Sequence, residues 1–347
     1  MSGENTSAAR IRWAVELADG VQDLAWSPDG CWLAAAAVSG PISLIATATG
    51  EVSREWPGHV GGTLKLAWSP DSRRLASGGQ DGCARVWDPN DDEERQRLAA
   101  GSDWVGGVSF SPYAALLITA AGKELRAWNL DGQLLRATQP HASTITDLAW
   151  HPQQPLLASS AFGKIHLWDW CSPESPEERI LPHPSPLLNA RWSPNGRYLA
   201  CGCQDNSLRC WTWPGAGDFQ MSGYASKVRA LAWDRASRWL ATADREIVTL
   251  WDFEHGPPTG ATPLNIEGPS DAVRELAFQA VGHRLAAGDQ GGHLLVWDLD
   301  ERGYRLLWQG ALRGGFQRLA WHPRDRLLAV GGEDGTVAVF EFTRYPH

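Results

Sequence analysis

The chain has 347 residues, 43% of them hydrophobic and 20% charged, and a formal net charge of −9 at pH 7. This composition is typical of a folded globular protein rather than a disordered chain, and the negative charge argues against broad binding to nucleic acids or anionic membranes. The first residues contain no apolar run suited to the core of a signal peptide. No segment approaches the about 20 consecutive apolar residues that cross a bilayer. We therefore expect a cytoplasmic protein that binds neither nucleic acid nor membrane.

The chain begins with residues 1–10, which are small and polar, and we expect them to form a flexible tail. Ile11–Leu17 reads IRWAVEL and alternates apolar with polar side chains. That alternation has the period of a strand buried on one face. The sequence therefore predicts that a single β-strand precedes the first repeat.

A repeating unit follows, and its clearest copy reads LAWSPDSRRLASGGQDGCARVWD from Leu66 to Asp88. It predicts three short strands joined by two tight turns, at Ser69-Pro70-Asp71 and at Gln80-Asp81-Gly82. Proline suits the first corner of a turn because its φ is already fixed, and Asp, Asn and Gly suit the following positions. Because one copy could not bury both its faces, the repetition itself predicts how the chain folds.

Two markers recur in every copy of this unit. An aromatic residue ends the first strand at Trp26, Trp68, Phe110, Trp150, Trp192, Trp233, Phe278 and Trp321, with spacings of 40 to 45 residues. We call these residues the anchor aromatics. A closing pair lies 18 or 19 residues after each anchor, at Ile45-Ala46, Trp87-Asp88, Trp128-Asn129, Trp168-Asp169, Trp211-Thr212, Trp251-Asp252, Trp297-Asp298 and Phe340-Glu341.

With these markers the chain resembles the WD-repeat β-propeller family over residues 11–343. The resemblance implies an all-β fold of four-stranded antiparallel blades, in which one repeat supplies three strands and the next connection the outermost one. Eight units need eight outer strands, yet only seven connections lie between them. We therefore predict an eight-bladed ring in which Ile11–Leu17 completes the last blade and hides a sheet edge. Seven blades, the common number in this family, is the alternative.

This interpretation gives a single propeller domain over residues 11–347, after the tail formed by residues 1–10. Its blades are predicted at residues 21–56, 63–98, 105–136, 145–181, 187–221, 228–266, 273–309, and 316–343 together with 11–17.

The resemblance also implies a buried hydrogen-bonded set of His, Ser or Thr, Asp and Trp within a blade. The second repeat carries the whole set as His59, Ser77, Asp81 and Trp87. Asp, His and Ser together could also suggest a hydrolase. A buried network of this kind rigidifies a fold, however, whereas catalysis needs an exposed nucleophile beside its base. We predict no catalytic residue and no enzyme, and the alternative is a propeller enzyme that uses residues lining the central channel.

The six cysteines show no spacing typical of a disulfide framework or a zinc ribbon. Cys201 and Cys203 should share one face of a strand, Cys210 lies across the hairpin, and His183 precedes them. These four residues could form a thiolate-rich zinc site. The other interpretation, which we prefer, is that the cysteines replace Ser, Ala and Val of the other repeats. We therefore expect no bound metal and no other cofactor.

In this family, the resemblance implies, partners dock on the face that carries the loops entering the innermost strands. Trp104 and Phe162 occupy turns where the other repeats have polar or small residues, and aromatic and Arg residues are enriched in binding hot spots. Blades six to eight should bring basic residues toward one arc of that face. They are Lys227, Arg229, Arg245, Arg274, Arg313 and Arg318.

The sequence thus predicts a monomeric, non-catalytic interaction scaffold. Its partners would be one or more proteins or peptides, with acidic segments fitting the basic arc. The candidate binding residues are Trp104, Phe162, Lys65, Arg229, Arg274 and Arg318. The alternative to a binding role is that the arginines are simply solvated and that Trp104 folds back onto a neighbouring blade.

Overall fold

The computed structural model describes residues 8–170, 179–215, 217–300, 303–324 and 326–343. Most of the predicted tail, residues 1–7, lies outside this range, as do residues 171–178 of the predicted fourth blade. The described residues form strands and turns and contain no helix, hence none that could span a membrane.

The strands fall into eight antiparallel sheets arranged as blades. Blade one contains β2 (Val21–Trp26), β3 (Trp32–Ala37), β4 (Ile42–Ala46) and β5 (Val52–Trp56), and blade two contains β6 (Thr63–Trp68), β7 (Leu75–Gly79), β8 (Cys83–Trp87) and β9 (Glu94–Ala99). Blade three contains β10 (Val105–Phe110), β11 (Leu116–Ala121), β12 (Glu124–Asn129) and β13 (Leu134–Ala137), and blade four contains β14 (Asp147–Trp150), β15 (Leu156–Asp169) and β16 (Arg179–Pro186). Blade five contains β17 (Arg191–Trp192), β18 (Tyr198–Gly202), β19 (Leu208–Thr212) and β20 (Asp218–Met221), and blade six contains β21 (Ala230–Trp233), β22 (Trp239–Asp244), β23 (Ile247–Asp252) and β24 (Leu264–Ile266). Blade seven contains β25 (Val273–Phe278), β26 (Arg284–Asp289), β27 (His293–Asp300) and β28 (Gly303–Ala311), and blade eight contains β29 (Phe316–Trp321), β30 (Leu327–Gly332) and β31 (Thr336–Phe342) together with β1 (Ala9–Glu16).

In blade four the second and third strands form one continuous element, β15, which turns back on itself in a hairpin. The Trp168 indole Nε1 donates to Ser159 Oγ over 2.9 Å, whereas nine residues of extended strand would span about 30 Å. The chain therefore reverses between them, and Gly163 lies there with φ of 77°. Blade four thus has four strands like the others, and its outermost strand ends at Pro186 rather than near residue 181 as predicted.

The innermost strands form a closed ring of eight, each in contact with the innermost strand of the blade on either side. Five anchor tryptophans fasten this ring, since each indole Nε1 donates to a backbone carbonyl of the preceding innermost strand. The pairs are Trp26 with Ala320, Trp68 with Ala25, Trp192 with Ala149, Trp233 with Arg191 and Trp321 with Ala277, at 2.9 to 3.3 Å. The prediction of eight blades is confirmed, and the seven-blade alternative is wrong.

The N-terminal strand closes the ring as predicted. It pairs antiparallel with β31, from Ala9 opposite Phe342 to Glu16 opposite Thr336, and so becomes the outermost strand of blade eight. The strand begins at Ala9, two residues before the predicted start. Trp13 is buried, and its Nε1 donates to the carbonyl of Thr47 in blade one over 2.9 Å.

The hydrophobic core is divided among the interfaces between blades. Eight clusters of buried apolar residues each join two neighbouring blades. Second and third strands are covered on both faces, so they read as runs of small and aliphatic residues, such as WLAAAA in β3. Outermost strands such as β13 are mostly exposed and carry mixed side chains. Burial on both faces explains why the repeated strands are apolar without alternating.

Candidate partner-binding face

The alternation of strand direction gives the ring two different faces. The loops that lead into the innermost strands and the turns between second and third strands lie on the same side, which we call the top face. These two kinds of segment are hydrogen-bonded in several blades, for example from Gln80 N to Gly62 O at 3.0 Å and from Gln290 N to Ala272 O at 2.9 Å. The turns that follow the anchor aromatics lie on the opposite, bottom face. The predicted binding residues all belong to the top face or to the channel that opens on it.

The His, Ser, Asp and Trp of blade two form one hydrogen-bonded network. His59 Nδ1 lies 2.8 Å from Asp81 Oδ1, and His59 Nε2 lies 2.8 Å from Ser77 Oγ. Trp87 Nε1 donates to the same Ser77 oxygen over 2.8 Å. Burial lowers the pKa of His59 despite the neighbouring Asp81, so the imidazole is neutral at pH 7. Every polar side-chain atom of Ser77 and His59 is thus hydrogen-bonded within the blade, and the set holds the top-face loop to the strands.

Blade six has an equivalent network that the sequence analysis missed. Trp251 Nε1 donates to the hydroxyl of Tyr224 over 2.8 Å, and that hydroxyl lies 2.9 Å from Thr242 Oγ1. Burial raises the pKa of Tyr224, so the phenol stays protonated. The signal was present, because Tyr224 precedes its anchor Trp233 by nine residues, the spacing between His59 and Trp68. A tyrosine at that position simply does not match the expected histidine.

Charged residues of the channel join neighbouring innermost strands. In blades one, four and seven a carboxylate accepts a backbone N–H of the next blade: Asp23 from Leu66 at 2.9 Å, Asp147 from Ala190 at 3.2 Å and Glu275 from Leu319 at 2.6 Å. Burial raises the pKa of Glu275, although Arg318 beside it opposes that shift. These carboxylates therefore serve interfaces between blades and are spread around the ring.

Two predicted binding residues take part in this channel network. Arg318 Nε donates to Asp23 Oδ1 over 3.1 Å, with its side chain 32% exposed. Lys65 Nζ lies 3.4 Å from Asp23 Oδ2, and its side chain is 42% exposed. Both cations balance a buried carboxylate while still reaching solvent.

The basic arc of blades six to eight surrounds one cavity of about 590 Å³. Five of the six basic residues predicted for the arc line it, namely Lys227, Arg229, Arg245, Arg274 and Arg318; Arg313 is exposed nearby but does not line it. The other lining residues are Asn206, Ala225, Ser226, Ala243, Ala272, Val273, Gln290 and Gln317. No Asp or Glu lines the cavity, although the whole chain is acidic. It is therefore a local basic site on the top face.

The opposite arc of the top face carries several exposed apolar side chains. Trp104 and Phe162, from blades three and four, are 60% and 54% exposed, and Val60 and Val38 are 79% and 51% exposed. The Phe162 backbone N–H donates to Ser143 Oγ over 2.7 Å, so the turn that presents the ring is held to the neighbouring loop. One face of the propeller thus presents apolar side chains over blades one to four and cations over blades six to eight.

The structure does not bring the four candidate metal ligands together. Cys201 and Cys203 are buried between blades four and five, whereas Cys210 lies on the other side of its blade, between blades five and six. Cys203 Sγ is 3.8 Å from His183 Nε2, and burial raises the pKa of Cys203 to about 11. Within the described residues no group of three or more His, Cys, Asp and Glu has an arrangement suited to a metal ion.

Comparisons with known proteins agree with this architecture. The family model described as "WD domain, G-beta repeat" matches residues 17–40, 50–88, 132–169, 176–212 and 312–341. The crystal structure of the computationally designed Ika8 protein aligns with a TM-score of 0.78 at 21% identity, covering 98% of this chain and 100% of that one. At that identity the likeness shows the fold alone.

Several relatives share part of the sequence. Transcriptional corepressor LEUNIG_HOMOLOG of Arabidopsis thaliana is 28% identical over 233 residues, which are 65% of this chain and 28% of the relative. WD repeat-containing protein slp1 of Schizosaccharomyces pombe is 26% identical over 162 residues, 44% of this chain and 33% of the relative. Angio-associated migratory cell protein of Canis lupus familiaris is 24% identical over 302 residues, 82% of this chain and 68% of the relative. This chain therefore spans about a third or less of the first two relatives.

Proposed function

Because the chain belongs to the WD-repeat β-propeller family, we propose that it is a non-catalytic scaffold that binds a protein partner across its top face. The observation that carries this proposal is the division of that face. Exposed apolar side chains, Trp104 and Phe162 among them, occupy one arc, and a cavity lined by five basic side chains and no carboxylate occupies the other. The name of one relative, a transcriptional corepressor, fits a protein that acts through other proteins.

The partner we propose is a segment that carries acidic residues beside apolar ones. Its acidic part would contact Arg229 and Arg274, which are exposed, with Lys65 and Arg318 at the rim of the channel. Its apolar part would cover Trp104 and Phe162. Complementary charge steers such an encounter and fixes its orientation, while buried aromatic anchors supply most of the binding free energy.

The test is affinity capture from the native host, with the bound proteins quantified by mass spectrometry. The double variant Trp104→Ala, Arg274→Glu should lose the proteins that the wild type retains by at least tenfold. A matched control, Leu134→Ala with Arg73→Glu, changes an exposed residue of β13 and an exposed arginine of a bottom-face turn. The control should retain the same proteins. Unchanged recovery by the top-face variant would contradict the proposal.

We also propose that the protein acts as a monomer in the cytoplasm. The five cysteines within the described residues are all free thiols, which fits a reducing compartment. Light scattering coupled to size-exclusion chromatography checks the monomer, and imaging of a fluorescent fusion in the native host checks the location. A dimer mass, or fluorescence confined to another compartment, would contradict the respective statement.

A further inference from the structure

We infer that the basic cavity between blades five and eight is a phosphate-binding pocket that takes a phosphorylated side chain of the partner segment. The inference rests on the proposed function, because it names the acidic group that the top face recognises. Three observations carry it: the charge of the cavity wall, the number of hydrogen-bond donors in it, and the backbone conformation of Arg245.

The cavity has more positive charge than one carboxylate could balance. Of its five cations, Arg318 is paired with Asp23 at 3.1 Å, and Arg274 is 3.6 Å from Glu333. Lys227, Arg229 and Arg245 have no ion pair with any carboxylate of the described residues. A phosphate monoester carries a charge of about −1.5 to −2 at pH 7, so it balances this excess better than the single charge of Asp or Glu.

The donors also suit a phosphate. Each Arg offers five N–H donors in a planar fork and each Lys offers three, and Arg binds phosphate with two parallel hydrogen bonds. Ser226 and Gln317 also line the wall, but Ser226 Oγ donates to Asp244 and Gln317 Nε2 donates to Glu333 Oε1 over 2.9 Å, so the donors for a phosphate come from the cations. The three oxygens of a phosphate could use donors from several blades at once, whereas a carboxylate has only two oxygens.

The backbone of Arg245 gives an independent argument. Arg245 is the first residue of a two-residue hairpin turn between β22 and β23, and its φ is 51°. Blade three has the same two-residue turn between β11 and β12, and there the first residue is Gly122, with φ of 54°. Glycine is the usual residue at such a position, because a side chain disfavours positive φ.

Arg245 therefore stands in a strained conformation where the equivalent turn uses glycine, and its side chain lines the basic cavity. Strained backbone of this kind clusters at functional sites. Substitution by glycine should consequently relieve strain in the fold while removing one cation from the pocket.

The experiment compares binding of fluorescein-labelled degenerate peptides with a fixed central phosphoserine to peptides with Glu at that position. Fluorescence anisotropy should show at least tenfold tighter binding of the phosphoserine set to the wild type. Arg245→Gly should weaken that binding at least tenfold, with an unfolding midpoint equal to or above that of the wild type. The control Arg73→Ala removes the same charge from the bottom face and should stay within twofold of the wild type.

The outcomes separate this inference from the proposed function. Equal binding of both peptide sets would overturn the phosphate assignment, while an acidic partner on the top face would stand. Unchanged phosphoserine binding by Arg245→Gly would overturn the assignment of the pocket. Competition by inorganic phosphate at the same concentration as the phosphopeptide would overturn the assignment to a partner side chain, since free phosphate would then suffice.

Discussion

Ser77 is the residue that joins both halves of the polar network in blade two. Its hydroxyl accepts the Trp87 Nε1–H and donates to His59 Nε2, because Asp81 takes the proton on Nδ1. Burial opposes the ionisation of Asp81, but its bonds to His59 and Arg85 hold the pKa of that carboxyl below its usual value. The imidazole orientation is therefore set by a charged carboxylate at one end and a buried hydroxyl at the other.

Replacing Ser77 by Ala should lower the free energy of unfolding by about 1–3 kcal/mol, because two buried polar atoms lose their partner. Urea unfolding followed by tryptophan fluorescence measures the change. The control Ser53→Ala lies in the exposed part of β5 and should cost less than about 0.5 kcal/mol. Equal effects of the two substitutions would show that the network does not stabilise blade two.

Residue-scale prediction succeeded where a side chain recurs at a fixed spacing. His59 could be placed in a network because the interval to Trp68 and the turn Asp81 both matched the repeat. Tyr224 at the same interval was missed, since the pattern was sought as a histidine. The strain at Arg245 could not be foreseen, because φ depends on turn length and on pairing between β22 and β23, which the sequence alone does not report.

At the scale of elements, β1 is held by a contact outside its own blade. Trp13 belongs to blade eight, yet its Nε1 donates to Thr47 O of blade one, and Gly50 approaches the ring so closely that an added Cβ would lie 2.5 Å from Trp13 Cγ. Gly50 also has φ of 76°. The glycine thus gives the indole room at the interface between the last blade and the first.

Trp13→Ala should cost about 3–5 kcal/mol, because a large buried side chain and its hydrogen bond are lost at the ring closure. Hydrogen exchange by mass spectrometry should show lost protection in β1 and β31 before the other blades. Ile11→Ala is the control, since Ile11 is 59% exposed in the same strand, and it should change stability by less than about 0.5 kcal/mol. Equal protection of β1 in both variants would contradict this account of closure.

The innermost strands depend in a similar way on Asp23, whose carboxylate accepts Leu66 N–H and Arg318 Nε–H. Asp23→Ala should cost about 2–4 kcal/mol, since it leaves a buried amide and a partly buried guanidinium without that partner. Asp92→Ala is the control: Asp92 pairs with Arg54 at 2.9 Å, but its side chain is 83% exposed. The exposed pair should contribute at most about 1 kcal/mol. Equal costs in thermal unfolding would contradict a structural role for the channel carboxylates.

Strand positions were largely predictable because each turn carries Pro, Asp or Gly chemistry. Blade four shows where this reading was less accurate. Its outermost strand runs to Pro186, past the predicted end at 181, because pairing with Phe162 of the neighbouring strand extends the ladder. Such an extension depends on which strand lies alongside. Prolines at positions 182, 184 and 186 have low β-strand propensity, so the sequence does not predict it.

For the whole molecule, several buried histidines share the same electrostatic condition. Burial lowers the pKa of His59, His141 and His151, and that of His166 to about 4. In the unfolded chain a histidine titrates near about 6.5. Below that pH the unfolded state binds protons that the folded state does not bind, so stability rises as the pH increases from about 4 to about 6.5. The protein should thus be fully stable above about pH 6.5 and lose stability as the pH falls toward 4.

Urea midpoints measured at pH 7.5, 6.5 and 5.5 should decrease as the pH is lowered, with most of the decrease between pH 6.5 and 5.5. His151→Gln should flatten this slope, because Gln cannot take up a proton in the unfolded chain yet can still donate toward Gly196 O, the 3.0 Å partner of His151 Nε2. His255→Gln, at an exposed turn, should keep the wild-type slope. The raised pKa of Glu275 makes stability decrease as the pH rises, but above pH 5.5 this contribution to the slope is small. A midpoint independent of pH would contradict the prediction.

The number of blades and the ring closure followed from counting strands against connections, since eight units need one strand from elsewhere. The location of a basic arc followed from residues at fixed positions of blades six to eight. The sequence could not show which of these basic side chains line the same cavity. Arg313 belongs to the same arc but does not line the cavity, whereas Lys227 does. Side-chain direction at loop positions depends on the packing of three blades at once.

The pairing of β1 with β31 has a practical consequence for how the protein can be held. Ala9 lies opposite Phe342, and Thr343 N donates to Ala8 O over 2.9 Å, so the two strand ends lie side by side on the bottom face. A tether attached before Ala9 or after Thr343 would therefore orient the molecule on a biosensor chip with its apolar and basic arcs toward the flowing analyte. The same juxtaposition would let a short linker join the two segments, so that the chain could be reopened in a loop of another blade.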